Sequence, residues 1–222
     1  NVCGTVHVFE EAKKNGVNRI IYASSSSVYG EEPCQPEDSL FGRQKSMYAL
    51  TKYMKEQVAD YYYLRFGVRS IGLRFFTVYG PHGRTNMAIG GFTKAMLEET
   101  PITIFGDGSQ RRDYTYVDDV VESIDLCTIS PHITCNTADV GAGQSYSVME
   151  LVNILTETLG ITPEIEYIPK HEADDAKTLS DNRALFKLTG YIPAVSFREG
   201  ISKYIDWLKS QNQNEQPYCE ER

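Results

Sequence analysis

The chain has 222 residues, of which 41% are hydrophobic and 23% charged, and this balance excludes a disordered or fibrous polypeptide. Its length gives one large domain, or a domain with a smaller lobe. With 22 Lys plus Arg against 30 Asp plus Glu, the net charge of −8 argues against broad nucleic-acid or anionic-membrane binding, yet a pocket with a few cations still takes an anionic small ligand.

Apolar spacing predicts a helix from Val2 through Ala12, stopped at Asn15-Gly16, then a buried strand over Arg19 to Ala23. Gly30 to Lys45 reads as a loop, Ser46 to Phe66 as a long helix closed by Gly67, and Val68 to Phe75 as the next strand. From Gly80 onward Gly, Pro and short elements become frequent, as in a second, smaller lobe. There the pattern predicts a helix over Ala88 to Glu99, a strand at Ile102 to Phe105, a turn at Asp107-Gly108 and a helix N-capped by Asp118 and running to Cys127. A strand at Thr134 to Val140, a helix at Ser147 to Leu159 capped by Gly160, a strand at Glu164 to Ile168 and a helix at Phe197 to Ser210 follow, with a polar tail from Gln211 to Arg222. Alternating helices and strands imply an α/β architecture, with helices packed on a mostly parallel sheet and a second, smaller lobe. The expected division is 1–80 for the sheet domain with its reactive residues, 81–210 mainly for the lobe with segments returning to the sheet, and 211–222 for the tail.

Cys3, Cys34, Cys127, Cys135 and Cys219 are scattered and never spaced C-x-x-C, so they suggest neither a disulfide framework nor a zinc site, and they fit a reducing, cytoplasmic setting. No apolar run approaches the ~20 residues of a membrane span. The chain opens on Asn1 rather than Met, from which truncation is expected, and an upstream anchor stays open.

Two features carry chemistry. Tyr48 and Lys52 stand four apart on the long helix and so share a face. A phenol with a pKa near ~10 is a poor base at neutral pH, and a fixed ammonium beside it makes it a better one. Among 15 tyrosines such spacing alone is weak, since most such pairs only decorate a helix surface. The run Ser24-Ser25-Ser26-Ser27 follows the strand Arg19 to Ala23 directly, and the carboxyl ends of parallel strands are where α/β sheets bind ligands. A serine-rich turn bonding its own backbone is the bland alternative. Hydroxyls at that edge, with a Tyr and a Lys on the next helix, supply what hydride transfer from an alcohol needs: one group to bind the hydroxyl and one to remove its proton.

The segments Y-A-S-S-S-S-V-Y-G, S-M-Y-A-L-T-K, L-R-F-F-T-V-Y-G-P-H-G-R, I-F-G-D-G-S-Q-R-R-D-Y-T-Y-V-D-D and L-T-G-Y-I-P, in this order, resemble the extended short-chain dehydrogenase/reductases, the NAD-dependent nucleotide-sugar epimerases and dehydratases. The resemblance covers nearly the whole chain, is nearest to the UDP-glucuronate 4-epimerase subgroup, and implies an incomplete doubly wound parallel sheet of Rossmann type with a smaller C-terminal substrate-binding lobe. It implies Ser25 as the hydroxyl that positions the sugar 4-OH, Tyr48 as base, and Lys52 as the cation that assists Tyr48 and binds nicotinamide ribose. Asn1, Ala23, Ser24, Phe75 and Phe76 are implied to border the cofactor. Ser26, Ser27 and Thr77 would meet the sugar carboxylate, Arg84 and Arg112 the diphosphate, and Thr103 and Phe105 the uracil, with Ala88 and Asp174 completing the substrate set. Dehydratases and decarboxylases of the family carry an acid where this chain has Ser26 and Ser27, and galactose-type epimerases commonly have Asn where it has Thr77.

Departures from the family pattern are His82 for Trp, Thr85-Asn86 for Pro-Asp, and the segment His171 to Asp174. The glycine-rich G-x-x-G-x-x-G turn that seats a pyrophosphate is absent, as though roughly 90 residues, at ~30 per βαβ unit, were missing upstream. The resemblance implies conversion of UDP-glucuronate to UDP-galacturonate through a 4-keto sugar, with NAD as cofactor, no metal, and a homodimer formed through a four-helix bundle from the first two helices. Other UDP-hexose 4-epimerases, dehydratases or reductases are the alternative enzymes. A nucleotide-sugar-binding or dimerisation module without catalysis is the alternative of another class.

Overall fold

The computed structural model describes residues 1–17, 19–30, 44–169 and 176–214. The chain begins in helix α1 (Val2–Lys14), enters strand β1 (Arg19–Ala23), makes a 3₁₀ turn (Ser26–Tyr29) and continues in helix α2 (Met47–Phe66). Strands β2 (Arg69–Phe75) and β3 (Thr77–Tyr79), helix α3 (Ala88–Leu97), and strands β4 (Ile102–Phe105) and β5 (Arg111–Tyr116) follow. Then come helix α4 (Val117–Ile129), strands β6 (Cys135–Val140) and β7 (Ser145–Ser147), helix α5 (Val148–Leu159), strand β8 (Ile165–Ile168), and helices α6 (Arg183–Thr189) and α7 (Phe197–Asn214).

The sheet that carries the serine run has the order β1-β2-β6, parallel throughout. Period-two alternation sorts its side chains. Ile20 and Tyr22 pack with Phe9, Ala59 and Tyr62 against α1 and α2, while Ile21, Ile71, Leu73, Ala138 and Val140 pack on the opposite face with Val120, Leu185 and Tyr191. Helices therefore cover both faces, as a parallel sheet requires. Gly72 faces the α2 side, and a Cβ there would lie 2.6 Å from the Tyr22 ring, so only glycine lets that ring cross the strand.

A second sheet, ordered β3-β5-β7, starts one residue after β2: β3 runs parallel to β5, and β5 antiparallel to β7. β4 and β8 form a separate parallel pair. The largest core lies here, with Ile102, Ile104, Leu151, Leu155, Ile201 and Ile205 packed around Tyr79, Tyr114 and Phe197.

Helix ends follow local chemistry. Ser46 caps α2 by accepting the Ala49 amide, and Gly67 ends that helix in the left-handed conformation, where L side chains are strained. Ser147 and Glu150 form a reciprocal capping box on α5. Asp118 does not cap α4: the helix begins at Val117, so Tyr116 holds the cap position with no side-chain bond, and Asp118 falls in the first turn. At the 107–108 turn, Gly106 and Gly108 are the residues with positive φ, and Asp107 Oδ1 accepts from the Ser109 amide and hydroxyl. The last helix continues past Ser210 to Asn214. Asp174 and most of the loop from 30 to 45 lie outside the described residues. Among the described residues no helix is long and apolar enough to cross a membrane.

Candidate active site

A cleft of about 550 Å³ opens where β1 and β2 end and the chain passes from the first sheet into the second. Its wall gathers Ala23, Ser24, Ser25 and Ser26 from the end of β1, Tyr48 and Lys52 from α2, Phe75, Phe76 and Thr77 from the β2–β3 junction, and Arg84 from the loop that follows. Residues far apart in the chain thus converge at the carboxyl edge of a parallel sheet.

The serine turn is built from its own hydroxyls. Ser25 Oγ accepts the Ser27 amide at 3.2 Å and the Ser27 hydroxyl at 2.9 Å, which leaves the Ser25 proton to donate toward a ligand. Ser27 spends its hydroxyl on that bond and does not line the cleft. Ser24 is buried, and its hydroxyl donates away from the cleft to Glu56 Oε1 at 2.5 Å.

On α2 the buried stripe runs through Ala49, Lys52, Glu56, Ala59 and Tyr62, so a helix of ordinary spacing turns a lysine and a glutamate inward. Tyr48 stands at the head of that stripe, 53% exposed and open to the cleft. Lys52 is only 8% exposed; its Nζ lies 5.6 Å from the Tyr48 ring centroid and donates to the Ala23 carbonyl at 2.9 Å. Burial pushes the Lys52 pKa down. Lys55 Nζ donates to the same carbonyl at 3.0 Å, and its pKa is lowered by burial and by the charge on Lys52.

That geometry tests the fit of a nicotinamide cofactor. A buried ammonium has three donors, and Lys52 uses one on a carbonyl at the strand edge, which leaves N–H groups for ribose hydroxyls. Ala23, Phe75 and Phe76 line the same wall with largely apolar surface. The residues present therefore fit the nicotinamide riboside end of NAD, while no glycine-rich turn for its pyrophosphate occurs in the 222 residues.

Asn1, Ala88, Thr103, Phe105 and Arg112 lie outside the cleft wall. Asn1 Nδ2 donates to Thr51 Oγ1 on α2 at 3.1 Å. Thr103 and Phe105 share the exposed face of β4, because Ile102 and Ile104 take the buried one. Arg112 Nη1 donates to the Arg111 carbonyl at 2.8 Å, and Ala88 opens α3. Arg84 is exposed on a loop held by His82, a non-glycine residue at φ +60°, whose ring meets Trp207 at 4.9 Å.

Sequence reasoning missed Tyr204, Met87, Tyr79 and Gly90, which also line the cleft. Met87 and Gly90 flank Arg84 closely enough to have been suspected; Tyr204 comes from α7 and carries no local signal.

The pattern of the NAD dependent epimerase/dehydratase family matches residues 1–131. The UDP-glucuronate 4-epimerase of Thermodesulfobacterium geofontis is 36% identical over 211 residues, covering 94% of this chain and 65% of that protein. The solved UDP-glucuronic acid 4-epimerase from Bacillus cereus, in complex with UDP-glucuronic acid and NAD, superposes with a TM-score of 0.89 at 30% identity, over 95% of this chain and 67% of that one. The UDP-glucose 4-epimerase of Thermotoga maritima with UDP-glucose gives the same score at 28% identity, over 95% and 70%. The chain spans about two thirds of the length of its curated relatives. With the family pattern over more than half of its residues and the parallel sheet beneath the cleft, the chain belongs to the NAD dependent epimerase/dehydratase family of enzymes.

Proposed function

We propose that the protein is an NAD-dependent UDP-sugar 4-epimerase acting on UDP-glucuronate. The observation that carries this reading is the single cleft in which Ser25, Ser26, Tyr48, Lys52, Thr77 and Arg84 meet. Among its described lining residues there is no carboxylate, while Lys52 and Arg84 bring positive charge. Such a wall suits an anionic sugar and a diphosphate, and lacks the acid that elimination of water from the sugar would use.

In this reading Tyr48, as phenolate, receives the proton of the sugar 4-OH while Ser25 holds that oxygen. NAD bound against Ala23 and Lys52 supplies a reversible hydride acceptor. After the 4-keto sugar turns over in the cleft, Tyr48 returns the proton, and the product carries the opposite configuration at C4. A 4-keto uronic acid is a β-keto acid that readily loses CO₂. Ser26 and Thr77 hold its carboxylate so that the C5–carboxyl bond stays out of alignment with the carbonyl π system. Thr103, Phe105, Ala88 and Arg112 are assigned to the uridine diphosphate end on the motifs that contain them.

We assign residues 1–80 to the cofactor domain and 81–210 mainly to the sugar-nucleotide lobe. A homodimer is proposed through α1 and α2, where Val6, Met54 and Tyr61 are exposed along one apolar groove. The cytoplasm is the proposed location, on cysteine usage.

The test is turnover by the protein with NAD on UDP-glucuronate, UDP-glucose and UDP-N-acetylglucosamine, with separation of the C4 epimers. UDP-galacturonate is the expected product. Tyr48→Phe should lower kcat by roughly 10²- to 10⁴-fold with UDP-sugar binding nearly intact. Equal loss of binding and turnover, or turnover of UDP-glucose alone, overturns the assignment.

A further inference from the structure

Behind the cleft lies a chain of buried polar side chains that the proposed reaction does not use. Arg74 projects from β2 toward α2, where its Nε and Nη2 form a fork with Glu56 Oε1 and Oε2 at 3.0 and 2.9 Å. Each of the two residues is only 3% exposed. Glu56 Oε1 also accepts the Ser24 hydroxyl. Arg74 Nη1 donates to Tyr29 Oη at 3.1 Å, and Tyr29 in turn donates to Asp139 Oδ1 at 2.6 Å. Asp139 is the direct cross-strand partner of Arg74 on β6, and its Oδ2 accepts the Asp181 amide at 3.0 Å.

Ser24 and Tyr29 are the two ends of the serine turn. One network of buried charge thus grips both ends of the six-residue segment that presents Ser25 and Ser26, and it is anchored on α2 two turns from Tyr48. Isolated buried charges are too unfavourable to persist as core filler, and replacing such a pair by apolar side chains is often neutral or stabilising. Their arrangement buys geometry instead.

We propose that Glu56, held by Arg74, is a positioning residue that fixes the Ser25 hydroxyl relative to Tyr48, with Tyr29 as the second anchor of the same turn. The inference rests on the function proposed above for Ser25 and Tyr48. Glu56 touches neither sugar nor cofactor in this assignment; it acts through Ser24 and the backbone of the turn. The mild variants are Glu56→Gln, which keeps the shape and removes the charge, and Tyr29→Phe, which removes a single oxygen.

Two readouts on the full chain test it. In hydrogen exchange, E56Q or Y29F should speed the Ser27, Val28 and Gly30 amides at least ~10-fold while those of β4 and β8 stay unchanged. Exchange unchanged in the turn overturns the proposal, and this arm needs no activity. In kinetics with UDP-glucuronate, E56Q should lower kcat by ~10-fold or more at nearly constant KM, and it should add less than ~2-fold when placed on Ser25→Ala. A full, multiplicative loss on the S25A background overturns positioning through Ser25. Should E56Q fail to fold, Y29F and Ser24→Ala carry both arms. Absence of turnover in the unmodified protein refutes the proposed function and leaves the exchange arm to decide the clamp.

Discussion

Asp139→Asn gives a measurement whose sign is fixed by the environment of the carboxyl. Burial pushes the Asp139 pKa up to about 6 from the ordinary 3.8, against the opposing pull of the Tyr29 hydroxyl, the Asp181 amide and the Arg74 guanidinium. The folded protein therefore holds this proton more tightly than the unfolded chain does. Between 3.8 and about 6 the folded state binds more protons, so the contribution of Asp139 to stability falls as pH rises through that window. At ~1.36 kcal/mol for each tenfold change in proton activity, the full fall is roughly 3 kcal/mol. Asn carries no such titration, so the stability of the unmodified protein relative to D139N should drop by about 2 kcal/mol, most of that fall, from about pH 4 to about pH 7.5. Urea unfolding of both proteins at several pH values and constant ionic strength reads the difference directly. Parallel curves would refute the reasoning. A relative gain with rising pH would show that Arg74 holds the carboxylate ionised and outweighs burial.

Two further substitutions probe the frame of the cleft. Gly72→Ala drives a methyl to within 2.6 Å of the Tyr22 ring, and overpacking of this kind should lower stability by about 1–3 kcal/mol in urea unfolding. Tyr191→Phe removes a buried hydroxyl that has no hydrogen-bond partner among the described residues and should leave stability unchanged or raise it by about 1 kcal/mol; a clear fall would reveal a partner for that oxygen.

Where local chemistry decided an element, the sequence was enough. The bounds of β1 and β4 are set by short apolar runs between breakers, α2 lies between the Ser46 cap and Gly67, and α5 between Ser147 and Gly160. The strands β3 and β7, at three residues each, are too short to show a period, and helix α6 has only seven residues. β5, R-R-D-Y-T-Y, shows no apolar run from which a strand is predicted, because its charged half is held by partners elsewhere: Asp113 accepts from the Ala142, Gly143 and Ser180 amides. Asp118 reads as a cap because a sequence displays side-chain type and not backbone geometry.

The cleft was legible in the same uneven way. Ser25, Tyr48, Lys52, Thr77 and Arg84 stand in motifs whose spacing can be recognised. The Glu56–Arg74–Tyr29–Asp139 chain was invisible because each link joins residues from different strands or helices, and none has a local pattern. Tyr204 reaches the wall only because α7 folds back over the lobe.

The strand order β1-β2-β6 has a consequence for how the protein is made. During synthesis β2 emerges long before its outer neighbour, and everything from β3 to α4 must leave the ribosome before Cys135–Val140 can dock. Until then Arg74 lacks the aspartate across from it, and the open edge of β2 invites wrong partners. A nascent chain cut short ahead of residue 135 would be a candidate for chaperone capture, not a smaller working unit.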